Sequence, residues 1–447
     1  MVETSGRKID AVGIVDEAPI GRLVITLVLL CAGVSFLDGF DILAISYVAP
    51  VIGAEWKLPR EAFGPIFAAH YVGAAIGSVF FGWYADRYGR RMGVIIPTLI
   101  FGIAALLTIY ANDFKSLFAF RLIIGVGLGG ALSNAIAMVS EYAPRRARAT
   151  MVSMMYAAFP LGGVVGGPIA ALLIAQYGWH SVFVFGGILP ILLAVGLLFW
   201  LRESIRFLVL SGAPPAKIGD ILGRISAAFQ PQPNDVYVLP ESGTVSKTPV
   251  RELFSREFIR PTILLSLAAF VAQLVIVYVV TWMPLVLASI GMPVTSAILA
   301  SVAFSVGGIV GAIGLARLVD KDKSYRWLVL TFFLAAVSTG GIGFLAANWY
   351  GLLAITFVTG LLTVGANIVL SAYSATVYPT AIRSTGVGWV IGWGRVGAIA
   401  GALFGTALVA AGLRIEAAYM IAAIPAVIGG IAIALVRAKH QSATAYA

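Results

Sequence analysis

Apolar residues run along the chain in long blocks, broken at near-regular intervals by short polar turns. Windows of about 20 apolar residues have the length that crosses a bilayer as a helix. They fall at 23–49, 62–84, 93–111, 116–140, 150–175, 180–201, 260–286, 294–318, 326–346, 349–375, 385–411 and 414–437. The pattern predicts an all-α membrane protein with twelve transmembrane helices, six on each side of one polar stretch. The expected division is a cytoplasmic tail at 1–22, a six-helix bundle at 23–201, a linker loop at 202–259, a second six-helix bundle at 260–437 and a tail at 438–447. Residues 1–21 mix acids and bases, and the apolar run after them spans about 28 residues, too long for the core of a cleaved signal peptide. The linker contains PP, PQP and SGTVSKTP and reads as a connector between bundles, with short amphipathic helices near 214–229 and 249–258.

Composition agrees. The 447 residues are 60% hydrophobic and 11% charged, with a mean hydropathy of +0.97; a soluble globule carries roughly 25% charged residues. Fifty glycines suit helices that approach closely in lipid. The one cysteine, Cys31, supports neither a disulfide framework nor a cysteine-rich metal site. The three histidines lack a metal-binding spacing, and no Walker sequence appears, so neither metal, cofactor nor ATP-driven transport is expected. No nucleophile–base constellation points to an enzyme.

The net charge of +10 changes the picture only through its distribution. Of 30 Lys and Arg, 24 fall on the side shared by the two termini, four on the opposite side (Lys57, Arg60, Lys115, Arg414), and two, Arg121 and Arg395, within spans. The positive-inside rule therefore places both termini in the cytoplasm of a multi-pass protein of the cell (inner) membrane. The basic excess meets anionic lipid; nucleic acid has no soluble basic domain to bind.

Asp38 and Asp41 interrupt the first span within SFLDGFDIL. An ionised Asp at the centre of a spanning helix costs about 2.5–3.5 kcal/mol on insertion scales, so each needs a partner or a proton. Three residues apart, they share a face. Two close carboxylates at low dielectric resist ionising together and titrate as a unit. Counting about 1.5 Å per residue puts Asp38 roughly 22 Å and Asp41 roughly 27 Å along their helix, with Arg121 roughly 8 Å below the far end of the fourth span and Arg395 roughly 15 Å into the eleventh. Arg121 thus reaches the level of Asp41.

An offset of about 234 superposes Gly77 and Asp86 on Gly311 and Asp320, and an offset of 235 superposes Pro144 and Arg148 on Pro379 and Arg383. The halves read as duplicated bundles, an arrangement that places substrate between them near the midplane.

GWYADRYGRR (82–91) matches the G-x-x-x-D-R-x-G-R-R loop of the major facilitator superfamily; RLIIGVGLGG (121–130) is similar to its helix 4 motif, and RESIRFL (202–208) resembles its P-E-S-x-R segment, with Arg202 in place of proline. The paired glycines expected after GGVVGGP (162–168) in drug:proton antiporters are missing, and GAIGLARLVDKDKSYR (311–326) lacks the G-R-R ending. Asp-Gly-Phe-Asp in helix 1, EYAPRRAR (141–148) and WGRVGAIAG (393–401) together resemble the aromatic acid:proton symporters. That resemblance implies a major facilitator fold and proton-driven uptake of an aromatic carboxylate, of hydroxybenzoate or benzoate type, for aromatic catabolism. The partners expected are that carboxylate, protons and the bilayer, and the working unit is a monomer. Another small organic acid, of monocarboxylate or sialic acid type, is the nearest alternative; a non-transporting sensor would tolerate loss of Asp38 and Asp41.

The roles expected are specific. Asp38 and Asp41 carry the proton, Arg121 governs their ionisation, and Arg395 takes the substrate carboxylate through its two-pronged guanidinium. The competing readings are a fixed Asp41–Arg121 bridge and a helix-packing Arg395. A flat slot for an aromatic ring draws on Phe40, His70, Tyr71, Gln273, Tyr278, Tyr373, Trp389 and Trp393, each of which is also an ordinary packing residue. Asn134, Ser133, Asn367 and Ser371 suit a ring hydroxyl or interhelical hydrogen bonds equally. His70 belongs either to a proton path or to a neutral core. Gly82, Asp86, Arg87, Arg90 and Arg91 form the expected gate, with Glu141 and Arg148 as latch partners and Asp320 and Arg383 as their repeat-related counterparts.

Overall fold

The computed structural model describes residues 7–226, 229–232, 234–239, 249–322, 326–379 and 382–444, with side chains omitted at 249, 316–322 and 437–444. Twelve helices among the described residues are long and apolar enough to cross a membrane. They are α1 (Arg22–Glu55), α2 (Phe63–Tyr88), α3 (Arg90–Leu107), α4 (Phe114–Tyr142), α5 (Arg148–Tyr177), α6 (His180–Trp200), α7 (Ile259–Ser289), α8 (Val294–Asp322), α9 (Arg326–Leu345), α10 (Trp349–Val377), α11 (Arg383–Ala410) and α12 (Ile415–Thr444). Most outrun the apolar windows by a turn or so. Asp113 and Ser116 form a reciprocal capping box at the start of α4, and Asn348 caps α10. Hydrogen bonding to Ser116 holds the Asp113 carboxyl below the usual range.

The repeat is visible in backbone contacts. A Cβ at Gly162 on α5 would collide with the carbonyl of Phe36 on α1, and one at Gly397 on α11 with the carbonyl of Phe270 on α7. Gly73 and Gly77 on α2 press against the carbonyls of Leu122 and Val126 on α4; Gly307 and Gly311 on α8 press against those of Phe357 and Leu361 on α10. Each pair is related by the 234–235 offset. In lipid, where apolar side chains gain nothing by leaving the solvent, this close backbone approach is what holds helices together.

The two bundles meet along α1–α7, α2–α11 and α5–α8. On the side away from the termini the seam is tight. The Ser46 hydroxyl donates to the carbonyl of Thr281 at 2.5 Å, Phe67 meets Trp282 edge to face at 5.4 Å, and Gly64 lies against Thr406. Gly163 and Gly167 of α5 face Ser305 and Val302 of α8. Toward the termini α2 and α11 diverge: at Ser78 they are joined through the length of the Arg395 side chain. Here Val79, Phe80 and Trp83 of α2 and Trp393 and Val396 of α11 are exposed.

The linker forms short helices where the sequence places them, Pro215–Ile225 and Pro249–Leu253, and beyond that expectation it pairs with the N-terminal tail. Strand β1 (Lys8–Asp10) pairs in parallel with β2 (Val236–Val238). The helix Ala11–Glu17 and the linker helix Pro215–Ile225 pack beside them, burying Ile9, Val15, Ile218, Leu222 and Tyr237. Arg7 grips Asp235 with two bonds of 3.0 Å. Arg146 donates to the carbonyl of Ala18 at 2.8 Å, and Arg148 pairs with Asp16 at 2.7 Å. The result is a small cap bound to the first bundle. No apolar periodicity announces strands three residues long, which is why pattern reading passes over them.

Arg7 holds the Asp235 carboxyl below the ordinary carboxylate range. The folded-state affinity for a proton is thus depressed, so this pairing stabilises the cap above about pH 4, where an unfolded Asp is ionised, and is lost as pH falls through the lowered value. Limited proteolysis of the N-terminal segment should therefore accelerate on acidification from pH 6 to 3 in the native chain. Arg7→Ala should cleave faster at pH 6 and lose most of that pH dependence.

Candidate functional site

The site is assembled by the glycine contacts. Gly125 of α4 lies against the carbonyl of His70 on α2, and Arg121 sits one helical turn earlier on the same face. Gly39, between the two acids of α1, lies against the backbone of Phe159 on α5. These approaches bring α1, α2 and α4 around one buried cluster.

Arg121, wholly buried, donates from Nη1 to Asp41 Oδ1 at 3.0 Å and from Nη2 to Asp41 Oδ2 at 2.8 Å. Its Nη2 also lies 3.4 Å from His70 Nδ1. The His70 ring spans the two acids: Nδ1 is 3.6 Å from Asp41 Oδ2, and Nε2 is 3.9 Å from Asp38 Oδ1. Tyr71 meets His70 edge to face at 5.3 Å. Asp38, Asp41 and His70 are all buried. Arg395 enters from the second bundle, donating from Nη1 to Ser78 Oγ at 3.2 Å; its charge acts through space on Asp38, and both charges act on the Tyr156 hydroxyl.

Other residues singled out in the sequence divide. Gln273 and Asn367 are joined at 3.2 Å between α7 and α10, and the Ser371 hydroxyl donates to the Asn367 carbonyl. Tyr373 is half-buried on α10. Phe40 faces the interior of the first bundle, on Phe185 and Gly166, because the small residues of α5 leave that space. Asn134 donates both amide hydrogens to backbone, the carbonyls of Phe81 and Gly130, and so ties α4 to α2. The Ser133 hydroxyl bonds its own helix. Tyr278 packs edge to face within the second bundle on Phe404 and Tyr419. Trp389 lies edge to face on Phe254 of the linker at 5.3 Å, and Trp393 is exposed.

The turn between α2 and α3 is built around Gly89, whose φ of +103° is one that side chains rarely adopt and whose Cβ would strike the Glu203 carboxylate. Glu203 accepts the backbone N–H of Arg91 at 3.0 Å, placing negative charge at the N-terminus of α3. Arg90 bridges Asp86 at 3.4 Å and Glu141 at 2.6 Å, and Ser204 also bonds Glu141. Arg91 donates to the carbonyl of Leu198, and Arg87 lies over the Tyr88 ring. Asp86 is 72% exposed, and nothing in the closest neighbourhood of Gly82 crowds it. Arg148 is engaged by Asp16 of the cap rather than by this network. Arg383 donates to the carbonyl of Tyr378. The Asp320 side chain lies outside the described residues. Sequence reading missed Glu203, Asp16, Ser78 and Tyr156; only Glu203 had a signal, its place in the RESIRFL segment.

Two pseudo-symmetric bundles with a buried charge cluster beside their seam define a membrane transporter. The sequence profile of the Major Facilitator Superfamily matches residues 31–348 and, in a second match, 265–445. The chain is 34% identical to the 4-hydroxybenzoate transporter PcaK of Pseudomonas putida over 98% of each chain. It is also 34% identical to a gallate transporter of Pseudomonas putida, covering 95% of this chain and 94% of that one. Among solved structures, a D-xylose-proton symporter superposes with a TM-score of 0.71 at 17% identity, covering 92% of this chain and 97% of the other. The protein belongs to the Major Facilitator Superfamily, alongside its aromatic acid transporters; it is a carrier and not an enzyme.

Removing one partner of a buried ion pair strands the other and costs about 3–5 kcal/mol. Arg121→Ala and Asp41→Ala should each lower the thermal unfolding temperature in detergent markedly. The double variant should recover much of that loss, because neither charge is then left alone.

Proposed function

We propose that the protein imports an aromatic carboxylate, of hydroxybenzoate or benzoate type, together with protons, across the cell membrane, with both termini in the cytoplasm. The observation that carries this reading is the cluster of Asp38, Asp41, His70 and Arg121, with Arg395 reaching in from the opposite bundle. Arg121 forks onto Asp41 and balances one carboxylate. With His70 neutral, Arg395 is the charge left to balance an ionised Asp38, and a carboxylate that takes Arg395 leaves Asp38 needing a proton. A substrate carboxylate arriving at Arg395 adds an anion that a proton on the acid pair offsets, which couples the two fluxes. The relatives named for 4-hydroxybenzoate and gallate support an aromatic acid as cargo. The positive-inside distribution of basic residues supports the orientation, in which the tight side of the seam faces outward and the diverging side inward. The exposed Asp86, held by Arg90 in this state, is free to exchange partners when the inner side closes, and so acts as a latch.

The test is uptake of labelled benzoate, 4-hydroxybenzoate, protocatechuate, vanillate and gentisate into reconstituted vesicles, with and without an inward proton gradient. At least one of these acids should accumulate, accumulation should vanish with an ionophore, and Asp38→Asn should transport only downhill. Accumulation that survives collapse of the gradient refutes proton coupling; no uptake of any of the five points to another small organic acid. For the latch, Asp86→Asn should slow turnover severalfold with substrate affinity nearly unchanged, read as initial rate against equilibrium binding.

A further inference from the structure

The position of His70 carries more than a packing role. It stands between the two acids of α1 with one ring nitrogen toward each: Nδ1 is 3.6 Å from Asp41 and Nε2 is 3.9 Å from Asp38. The third group at the ring is Arg121, 3.4 Å from Nδ1. A guanidinium only donates, so the nitrogen facing it presents its lone pair, and the ring hydrogen sits on Nε2, aimed at Asp38. A protonated imidazole would set a second cation against Arg121. The charged and titratable groups facing the ring are thus Asp38 and Asp41 from α1, Arg121 from α4 and the neighbouring Tyr71 on α2. Farther off, Arg395 acts on Asp38, and both act on Tyr156.

We infer that His70 is the bridge over which a proton passes between Asp41 and Asp38, accepted at Nδ1 and released from Nε2. The inference rests on the proton-coupled reading above and names the residue that makes two acids work as one. The step balances. When Arg121 lets go of Asp41 and that carboxyl takes up a proton, its O–H bond breaks as an N–H bond forms at Nδ1. The Nε2–H bond breaks as an O–H bond forms on Asp38, with that contact shortening to hydrogen-bond length. Asp41 is a carboxylate again and re-pairs with Arg121; Asp38 is neutral. The ring regains its starting tautomer by proton exchange with water in the return stroke. Neither acid needs to carry its charge across the gap.

His70→Gln keeps an amide donor near the Nε2 position and cannot pass a proton from one end to the other. In reconstituted vesicles, its gradient-driven accumulation of labelled 4-hydroxybenzoate should fall about tenfold or more. Accumulation should fall more steeply than counterflow between preloaded and external 4-hydroxybenzoate, which needs no net proton movement; equal losses in the two overturn the bridge. Accumulation by the variant at the native level overturns the bridge. The chain has three histidines, His70, His180 and His440, so the native protein labelled with ¹⁵N-histidine offers a second measurement that does not depend on how the variant folds. His70 should appear as the neutral Nε2–H tautomer; an imidazolium or an Nδ1–H tautomer overturns the inference. Failure of the underlying reading looks different, because the native protein itself would then accumulate substrate in the presence of an ionophore.

Discussion

Charge buried in hydrocarbon must be neutralised where it lies, and in this protein the neutralising contact is the fork of Arg121 on Asp41. The guanidinium is wholly buried, so its placement depends on three helices arriving at fixed depths. The glycines of α2 and α4 set those depths by letting the backbones touch. A side chain at Gly125 would push α4 from α2 and withdraw Arg121 from both His70 and Asp41. The close packing that makes the bundle rigid is therefore also what keeps the charges in register.

The two halves share their scaffold and not their chemistry. Glycine-to-carbonyl contacts recur at equivalent positions in both bundles, down to Phe36 and Phe270. The charges do not recur: by the same offsets, Asp38, Asp41, His70 and Arg121 correspond to Ala272, Val275, Phe304 and Thr356. One bundle carries the ionisable cluster, and the other contributes Arg395 and the Gln273–Asn367 pair. The seam therefore has two unlike sides, one lined by acids, a histidine and an arginine, the other by an arginine and an amide pair.

Much of this was readable from residues alone. Twelve apolar windows have their counterparts in twelve helices, and the count along the spans brings Asp41 and Arg121 to one level, where they are bonded. Depth along a helix follows from residue number, because the rise per residue is fixed. Azimuth does not: Phe40 and Asn134 lie at suitable depths and point into the first bundle, since rotation is set by which neighbour is small. The cap was invisible for another reason. Its strands are too short for a periodic signal, and its ion pairs join segments more than a hundred residues apart, so nothing local in the sequence sets Arg148 against Asp16 or Arg7 against Asp235.

The pairing of Arg7 with Asp235 spans 228 residues of sequence. A ribosome adds about 5–20 residues per second, so roughly 10 to 45 s separate the synthesis of these partners. Throughout that interval six helices are made while β1 has no strand to pair with. The cap at the start of the first bundle is thus completed by a segment made after that bundle's last helix.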